Sequence, residues 1–268
     1  MKVKSTRLTR YGLQIGVWLL LFFLAACGSA GAEEGAEETI PTPTIPDATP
    51  IEEGTMFYDT MSLADGTELR YAVVLPAGFT PQQSWPILLA LPPGPQTEAM
   101  VEAGLSGYWE QAAQERGWIV ISPEAPNGEL FFRGSEAGIP EFLDRIEEMY
   151  RPENGRFHIA GISNGGISAF RIASNNPERF QSMLVAPGLP TNEDDFNNLD
   201  KLTELPISMF VGENDTGWIP RMEETEARLS ELGAEVSLEV VPDEGHVIQS
   251  LRGGERLFDF FESHRWHR

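Results

Sequence analysis

The sequence predicts an α/β domain built on a mostly parallel sheet with helices on both faces. Three observations predict it. Short apolar runs without alternation, such as Ile87–Leu91 and residues 118–122, are what strands covered on both faces look like. Stretches with helical spacing separate these runs, which calls for crossover connections and hence parallel neighbours. One segment, Phe157-His158-Ile159-Ala160-Gly161-Ile162-Ser163-Asn164-Gly165-Gly166, passes from an apolar run through Gly-x-Ser-x-Gly into helical spacing at residues 167–173. That is the order strand, sharp turn, helix.

Each element follows in chain order. Residues 68–76 alternate, with Leu69, Tyr71, Val73 and Leu75 on one face of a strand. Ile87–Leu91 is a buried strand. Residues 106–116 have helical spacing and end at Gly117, a suitable C-terminal cap. Residues 118–122 form a second buried strand. Residues 140–150 read as a helix with Pro140 at a tolerated first position. Its apolar stripe is Phe142, Leu143, Ile146 and Met149. Strands follow at 156–160, 182–186, 207–211 and 235–241. Helices follow at 221–232, stopped by Gly233, and at 255–261. No large cap domain fits between the strand ending near Pro187 and the one starting near Ile207.

The chain start is read as an address. Lys2, Lys4, Arg7 and Arg10 precede an apolar run from Gly12 to Ala26, short for a membrane span and laid out like a secretory signal. It ends Leu24-Ala25-Ala26-Cys27, which resembles a bacterial lipobox. That resemblance implies a signal peptide over 1–26 and lipidation of Cys27, the only cysteine. The competing readings are an ordinary secreted protein or an uncleaved helix. Residues 27–54 are rich in Ala, Glu, Thr and Pro and are expected to be a disordered tether. Residues 55–268, about 210 in number, suffice for one domain with a substantial core. The expected location is the bacterial cell envelope, outside the cytoplasm and anchored to a membrane. Net charge is −22, which disfavours nucleic acid as a partner because phosphate binding needs basic patches.

Candidate chemistry gathers where segments leave the carboxyl edge of the sheet. Ser163 would stand at a sharp turn at the start of a helix, whose N-terminus favours developing negative charge. Gly161 and Gly165 leave room for a crowded chain and for dihedrals that other residues resist. The bland alternative is a surface turn. Asp215 lies in Gly212-Glu213-Asn214-Asp215-Thr216-Gly217-Trp218 after one strand, and His246 in a polar loop after the last strand. Glu213 competes for the acid. His158 sits inside a strand and reads as a packed or hydrogen-bonded histidine, while His264 and His267 fall in the final, exposed residues.

Ser163, Asp215, His246 is the chain order of the α/β-hydrolase superfamily, which this sequence resembles over residues 68–261. Gly-Ile-Ser-Asn-Gly-Gly, followed by Ala-Phe-Arg-Ile-Ala-Ser-Asn-Asn-Pro-Glu-Arg-Phe, resembles the polyhydroxybutyrate depolymerase and feruloyl esterase group. The Asp215 and His246 segments are similar to the carboxylesterase, dienelactone hydrolase and prolyl oligopeptidase branches. The resemblance implies a serine hydrolase with Ser163 as nucleophile, His246 as general base and Asp215 orienting the imidazole. It implies an oxyanion hole from the Asn164 N–H and a donor in the loop after an early strand. That loop reads Pro92-Pro93-Gly94-Pro95-Gln96, so Gly94 or Gln96 must serve if Pro95 occupies the usual position, since proline has no N–H. Losing such a donor costs on the order of 3 kcal/mol of transition-state stabilisation.

Trp218, Trp109, Phe131 and Phe132 are candidates for lining the site, with simple core packing the competing reading for each. No metal cluster, phosphate-cradling loop or dinucleotide fingerprint stands out, so no cofactor is expected. The leading expectation is a membrane-anchored carboxylic-ester hydrolase acting through an acyl-enzyme on a small or polymeric ester. The alternatives are a prolyl-oligopeptidase-like peptidase and a non-catalytic ligand-binding lipoprotein that keeps the fold.

Overall fold

A computed structural model of the chain describes residues 50–265. The expected signal segment, Cys27, most of the expected tether and His267 lie outside the described residues. Among the described residues no helix is long and apolar enough to cross a membrane.

One eight-stranded sheet organises the domain. Its strands are β1 (Thr55–Ser62), β2 (Glu68–Leu75), β3 (Ile87–Leu91), β4 (Ile119–Pro123), β5 (Phe157–Gly161), β6 (Phe180–Val185), β7 (Ile207–Gly212) and β8 (Val236–Val241). Their spatial order is β1-β2-β4-β3-β5-β6-β7-β8. The β1–β2 and β2–β4 pairs are antiparallel, and every pair from β4 to β8 is parallel. The apolar runs read from sequence are the central strands: every residue of β3, β4 and β5 is buried.

Helices cover both faces. On one face α3 (Ile139–Tyr150), α4 (Asn164–Asn175) and α6 (Ile219–Glu231) bury Phe142, Phe170, Met222 and their neighbours. On the other, α1 (Glu98–Gly104), α2 (Glu110–Arg116) and α7 (Glu255–Ser263) bury Val101, Ala112, Phe258 and Phe261. The alternation expected in β2 holds. Leu69, Tyr71, Val73 and Leu75 face the first layer, while Ala72 and Val74 face the second. The short segment α5 (Glu193–Asn197) lies in the β6–β7 connection, where the sequence leaves no room for a large cap.

Several boundaries differ from the sequence reading. β1 was not anticipated. It is an edge strand, mostly exposed, and lacks a continuous apolar run. Ile51, expected in the tether, packs on the first core layer, and its N–H donates to the Phe79 carbonyl at 3.3 Å. The helix expected from 106 begins at Glu98 and passes through one π-helical stretch, Leu105–Trp109, before α2. Such a bulge disturbs the 3.6-residue period that a sequence reading depends on. Gly117 is the left-handed cap, φ 76°. In α3 the inner stripe closes with Tyr150; Met149 is turned outward and 39% exposed.

Candidate active site

The carboxyl ends of β3, β5, β7 and β8 bring four loops to one rim, as expected of an open α/β sheet. β5 ends at Gly161 and α4 starts at Asn164, so the turn between them carries Ser163. Ser163 has φ 56° and ψ −116°, a conformation that non-glycine residues resist. The Ser163 N–H donates to the Pro187 carbonyl at 2.9 Å, which ties the turn to the loop after β6.

The flanking glycines are needed for space rather than for unusual dihedrals, which corrects half of the sequence argument. Neither Gly161 nor Gly165 has positive φ. A Cβ on Gly161 would lie 2.1 Å from the Gly165 carbonyl oxygen, and one on Gly165 would lie 2.1 Å from that of Leu91. The positive φ falls on the serine itself.

Ser163 Oγ donates to His246 Nε2 at 2.8 Å, and His246 Nδ1 donates to Asp215 Oδ2 at 2.7 Å. The Asp215 side chain is only 12% exposed and that of His246 40%. A shielded acid thus backs an imidazole that solvent and a ligand can reach. Asp215 is held where β7 gives way to α6: its N–H donates to the Gly212 carbonyl, and its own carbonyl accepts the Trp218 N–H, both at 2.9 Å.

Glu213 takes a different position. Its Oε2 accepts the Asp243 N–H at 3.0 Å, so it braces the histidine loop instead of touching the imidazole. Glu244 braces the same loop from its other side by accepting the N–H groups of Gln249 and Ser250, each at 2.9 Å. Those two bonds hold its carboxyl below the ordinary glutamate range. The sequence reading did not single out Glu244; nothing in a lone glutamate announces such a role.

Asn164 is the first residue of α4, so its N–H has no partner inside the helix and faces the turn. Its side-chain Nδ2 donates to the Gly94 carbonyl at 2.8 Å, which joins the nucleophile turn to the loop after β3. The Gly94 N–H meets no protein acceptor among the described residues.

Gln96 is not a free donor, contrary to expectation. It is fully buried. Its N–H closes a turn onto the Pro93 carbonyl, and its Nε2 donates to Ser168 Oγ at 3.1 Å and to the Pro92 carbonyl at 3.3 Å. Its Oε1 accepts the Phe131 N–H at 2.9 Å. Ser168 Oγ passes the connection on to the Asn164 carbonyl at 2.9 Å. Gln96 is therefore a strut behind the site, which leaves the Gly94 and Asn164 N–H groups as the candidate donors.

Of the four aromatic candidates, two belong to the core. Trp109 packs against Phe258 and Phe131 is fully buried; aromatic identity alone does not tell a lining residue from a packed one. Phe132 is half-buried beneath the Arg133 guanidinium. Trp218 stands beside His246 with ring centroids 5.2 Å apart. An open groove of about 680 Å³ adjoins the turn. Gly94, Pro95 and Asn164 line it together with the loop after β4, from Asn127 to Leu130, and Arg133.

The remaining histidines are elsewhere. His158 is fully buried between Trp118 and Phe261, donates Nδ1–H to Ser182 Oγ and accepts from Gln181 Nε2. Burial, followed by the nearby charges of His264 and Arg265, pushes its pKa down to about 3. His264 is half-buried against Phe260 rather than exposed. Among the described residues no group of His, Cys, Asp or Glu could hold a metal ion.

No family model matches the chain. Over 146 residues it is 25% identical to dipeptidyl-peptidase 5 of Porphyromonas gingivalis, covering 48% of this chain and 20% of the peptidase. The solved structure of an S-formylglutathione hydrolase from Agrobacterium tumefaciens is similar with a TM-score of 0.62 at 18% identity, covering 82% of this chain and 97% of that one. A thermostable esterase is similar with a TM-score of 0.60 at 17% identity, covering 70% of this chain and 55% of that one.

The chain has the α/β-hydrolase fold. It spans about a fifth of the peptidase and about half of the thermostable esterase. Within an α/β-hydrolase sheet, a serine at the β5–α4 turn, an acid after β7 and a histidine after β8 stand where acyl transfer is performed in the geometry seen here. The arrangement can deprotonate a hydroxyl as it attacks a carbonyl, with the Asn164 and Gly94 N–H groups as candidate donors to the resulting oxyanion.

Proposed function

We propose that the protein is a serine hydrolase that cleaves carboxylic esters through an acyl-enzyme intermediate. The observation that carries this reading is the continuous chain Ser163 Oγ–His246 Nε2, His246 Nδ1–Asp215 Oδ2, at 2.8 and 2.7 Å. In the first half-reaction Ser163 Oγ bonds to the ester carbonyl carbon while its proton passes to His246 Nε2. The tetrahedral oxyanion accepts the N–H groups of Asn164 and Gly94. The carbon–oxygen bond to the alcohol then breaks, and the imidazolium returns its proton to the leaving alkoxide. Water repeats the cycle on the acyl-serine and releases the acid. Asp215 keeps the proton on Nδ1 and stabilises the imidazolium without taking the proton itself.

Peptide-bond hydrolysis uses the same cycle, and the match to a dipeptidyl peptidase favours it as the second reading. The non-catalytic alternative rested on Pro95; with Gly94 able to supply the second amide, it loses its main argument.

A fluorophosphonate probe tests the proposal. Labelling of the folded protein, lost in Ser163→Ala, is expected. A folded protein that resists the probe would refute it. Turnover of p-nitrophenyl acetate without cleavage of proline-containing peptides separates esterase from peptidase.

The anchored, extracytoplasmic location is part of the proposal and rests on Leu24-Ala25-Ala26-Cys27. Bacteria fed a labelled fatty acid should yield a labelled, detergent-partitioning protein. Cys27→Ala should abolish both properties.

A further inference from the structure

Arg133 ends the 3-10 turn Phe131–Arg133, exposed at the groove that also presents Gly94 and Asn164. Its guanidinium carbon lies 5.4 Å from the centroid of the Phe132 ring. Among the described residues no carboxylate lies within ion-pair distance of it.

Of the thirteen described arginines seven hold a carboxylate within 4.0 Å, and Arg133 is among the six that do not, the one of those six that lines this groove. Acidic side chains outnumber basic ones by 41 to 19. Arg70, Arg116, Arg171, Arg179, Arg256 and Arg265 each hold a carboxylate at 3.2 Å or less. The nearest acid in sequence, Glu136, is held by Arg171 at 3.2 Å, and the next, Glu129, turns its carboxylate toward Gly134, where a Cβ would lie 3.1 Å from Glu129 Oε1. Glu129 borders both this groove and a separate pocket beyond Gly134, without pairing with Arg133. Among the described residues the guanidinium has no hydrogen-bond or ion-pair partner, and it lines the same groove as Gly94 and Asn164. Arg presents paired donors that match a carboxylate, and such charge-assisted bonds are about twice as strong as neutral ones.

We infer that Arg133 is the specificity residue for a carboxylate carried by the substrate, so that the preferred esters are monoanionic. This deepens the ester-hydrolase reading and rests on it. An ester whose carbonyl sits at the Gly94 and Asn164 amides extends a remote carboxylate along the groove to the guanidinium. The carboxylate belongs either to the acyl chain, as in a half-ester of a dicarboxylic acid, or to the alcohol.

The test compares kcat/KM for matched esters with and without a carboxylate. On the acyl side p-nitrophenyl hydrogen succinate is set against p-nitrophenyl butyrate. On the alcohol side 4-carboxyphenyl acetate is set against phenyl acetate, with nonenzymatic hydrolysis subtracted. In one pair the preference for the anion, corrected for intrinsic reactivity, should fall about tenfold in Arg133→Gln and be largely kept in Arg133→Lys. Raising ionic strength from 0.02 to about 0.5 M should erode the same preference in the unmodified protein, because an exposed pair is screened by salt. That arm needs no variant to fold. Turnover of both pairs with a ratio indifferent to residue 133 and to salt overturns this inference and leaves the hydrolase intact. Failure to turn over any ester, with Ser163 unlabelled by fluorophosphonate, overturns both.

Discussion

The indole of Trp218 stands beside the imidazole of His246, ring centroids 5.2 Å apart and planes inclined at 49°. Trp218 closes the β7–α6 turn that also holds Asp215, so one short segment both accepts from the imidazole and supports its ring. Such ring pairs contribute about 0.5–1.5 kcal/mol beyond the area they bury. Trp218→Ala is expected to lower kcat/KM for p-nitrophenyl acetate roughly three- to tenfold, with circular dichroism unchanged. Unaltered kinetics would show that the ring is passive.

Asp215 and Glu213 lie two residues apart and should differ sharply in effect. Asp215→Asn offers an amide N–H to Nδ1 and favours the wrong tautomer, so kcat should fall by on the order of 10³- to 10⁴-fold. Glu213→Gln keeps an oxygen for the Asp243 N–H and should change kcat by less than about threefold. Equal losses in steady-state kinetics would mean that the acid has been misassigned.

Gln96 connects three loops through buried groups. Gln96→Leu strands the Phe131 N–H and removes a bond from Ser168. Each orphaned group costs about 1–3 kcal/mol. The urea midpoint should drop accordingly, and kcat should fall as Asn164 loses its support. A midpoint within error of the parent would rule out the strut.

His158 gives an acid limb to stability. Its folded pKa of about 3 lies below the ordinary histidine value of 6.5. Between those values the unfolded chain binds a proton that the native one refuses, so stability falls as pH drops through that window, by up to ~1.4 kcal/mol per pH unit. His158→Leu removes this response, so the gap in unfolding free energy between parent and variant should shrink from pH 7 to pH 4. A constant gap in urea titrations would contradict a buried neutral imidazole.

What could be read without a structure depended on whether the backbone or the surroundings carried the signal. Ser163, Asp215 and His246 were legible because each follows an apolar strand, and the chain order alone assigns them to one rim. The layers were legible for the same reason, through runs such as Ile87–Leu91. For Trp109 and Phe131 the sequence left lining and core packing both open, because an aromatic side chain suits a groove and a core equally well, and the structure takes the core reading. Gln96 was misplaced because nothing in Pro-Pro-Gly-Pro-Gln reveals that its amide turns inward. β1 escaped notice because a half-wet edge strand needs no apolar run. The isolation of Arg133 is invisible in one dimension, since pairing is decided by neighbours distant in sequence.

The backbone of Ser163 carries a cost of its own. At φ 56° a side chain is held where only glycine rests easily, at an expense of about 1–3 kcal/mol. A Ser163→Gly chain should therefore melt at a higher temperature than its parent while hydrolysing nothing. At this one residue, durability and turnover are opposed, and a screen that selects for heat resistance alone would be drawn toward a dead enzyme.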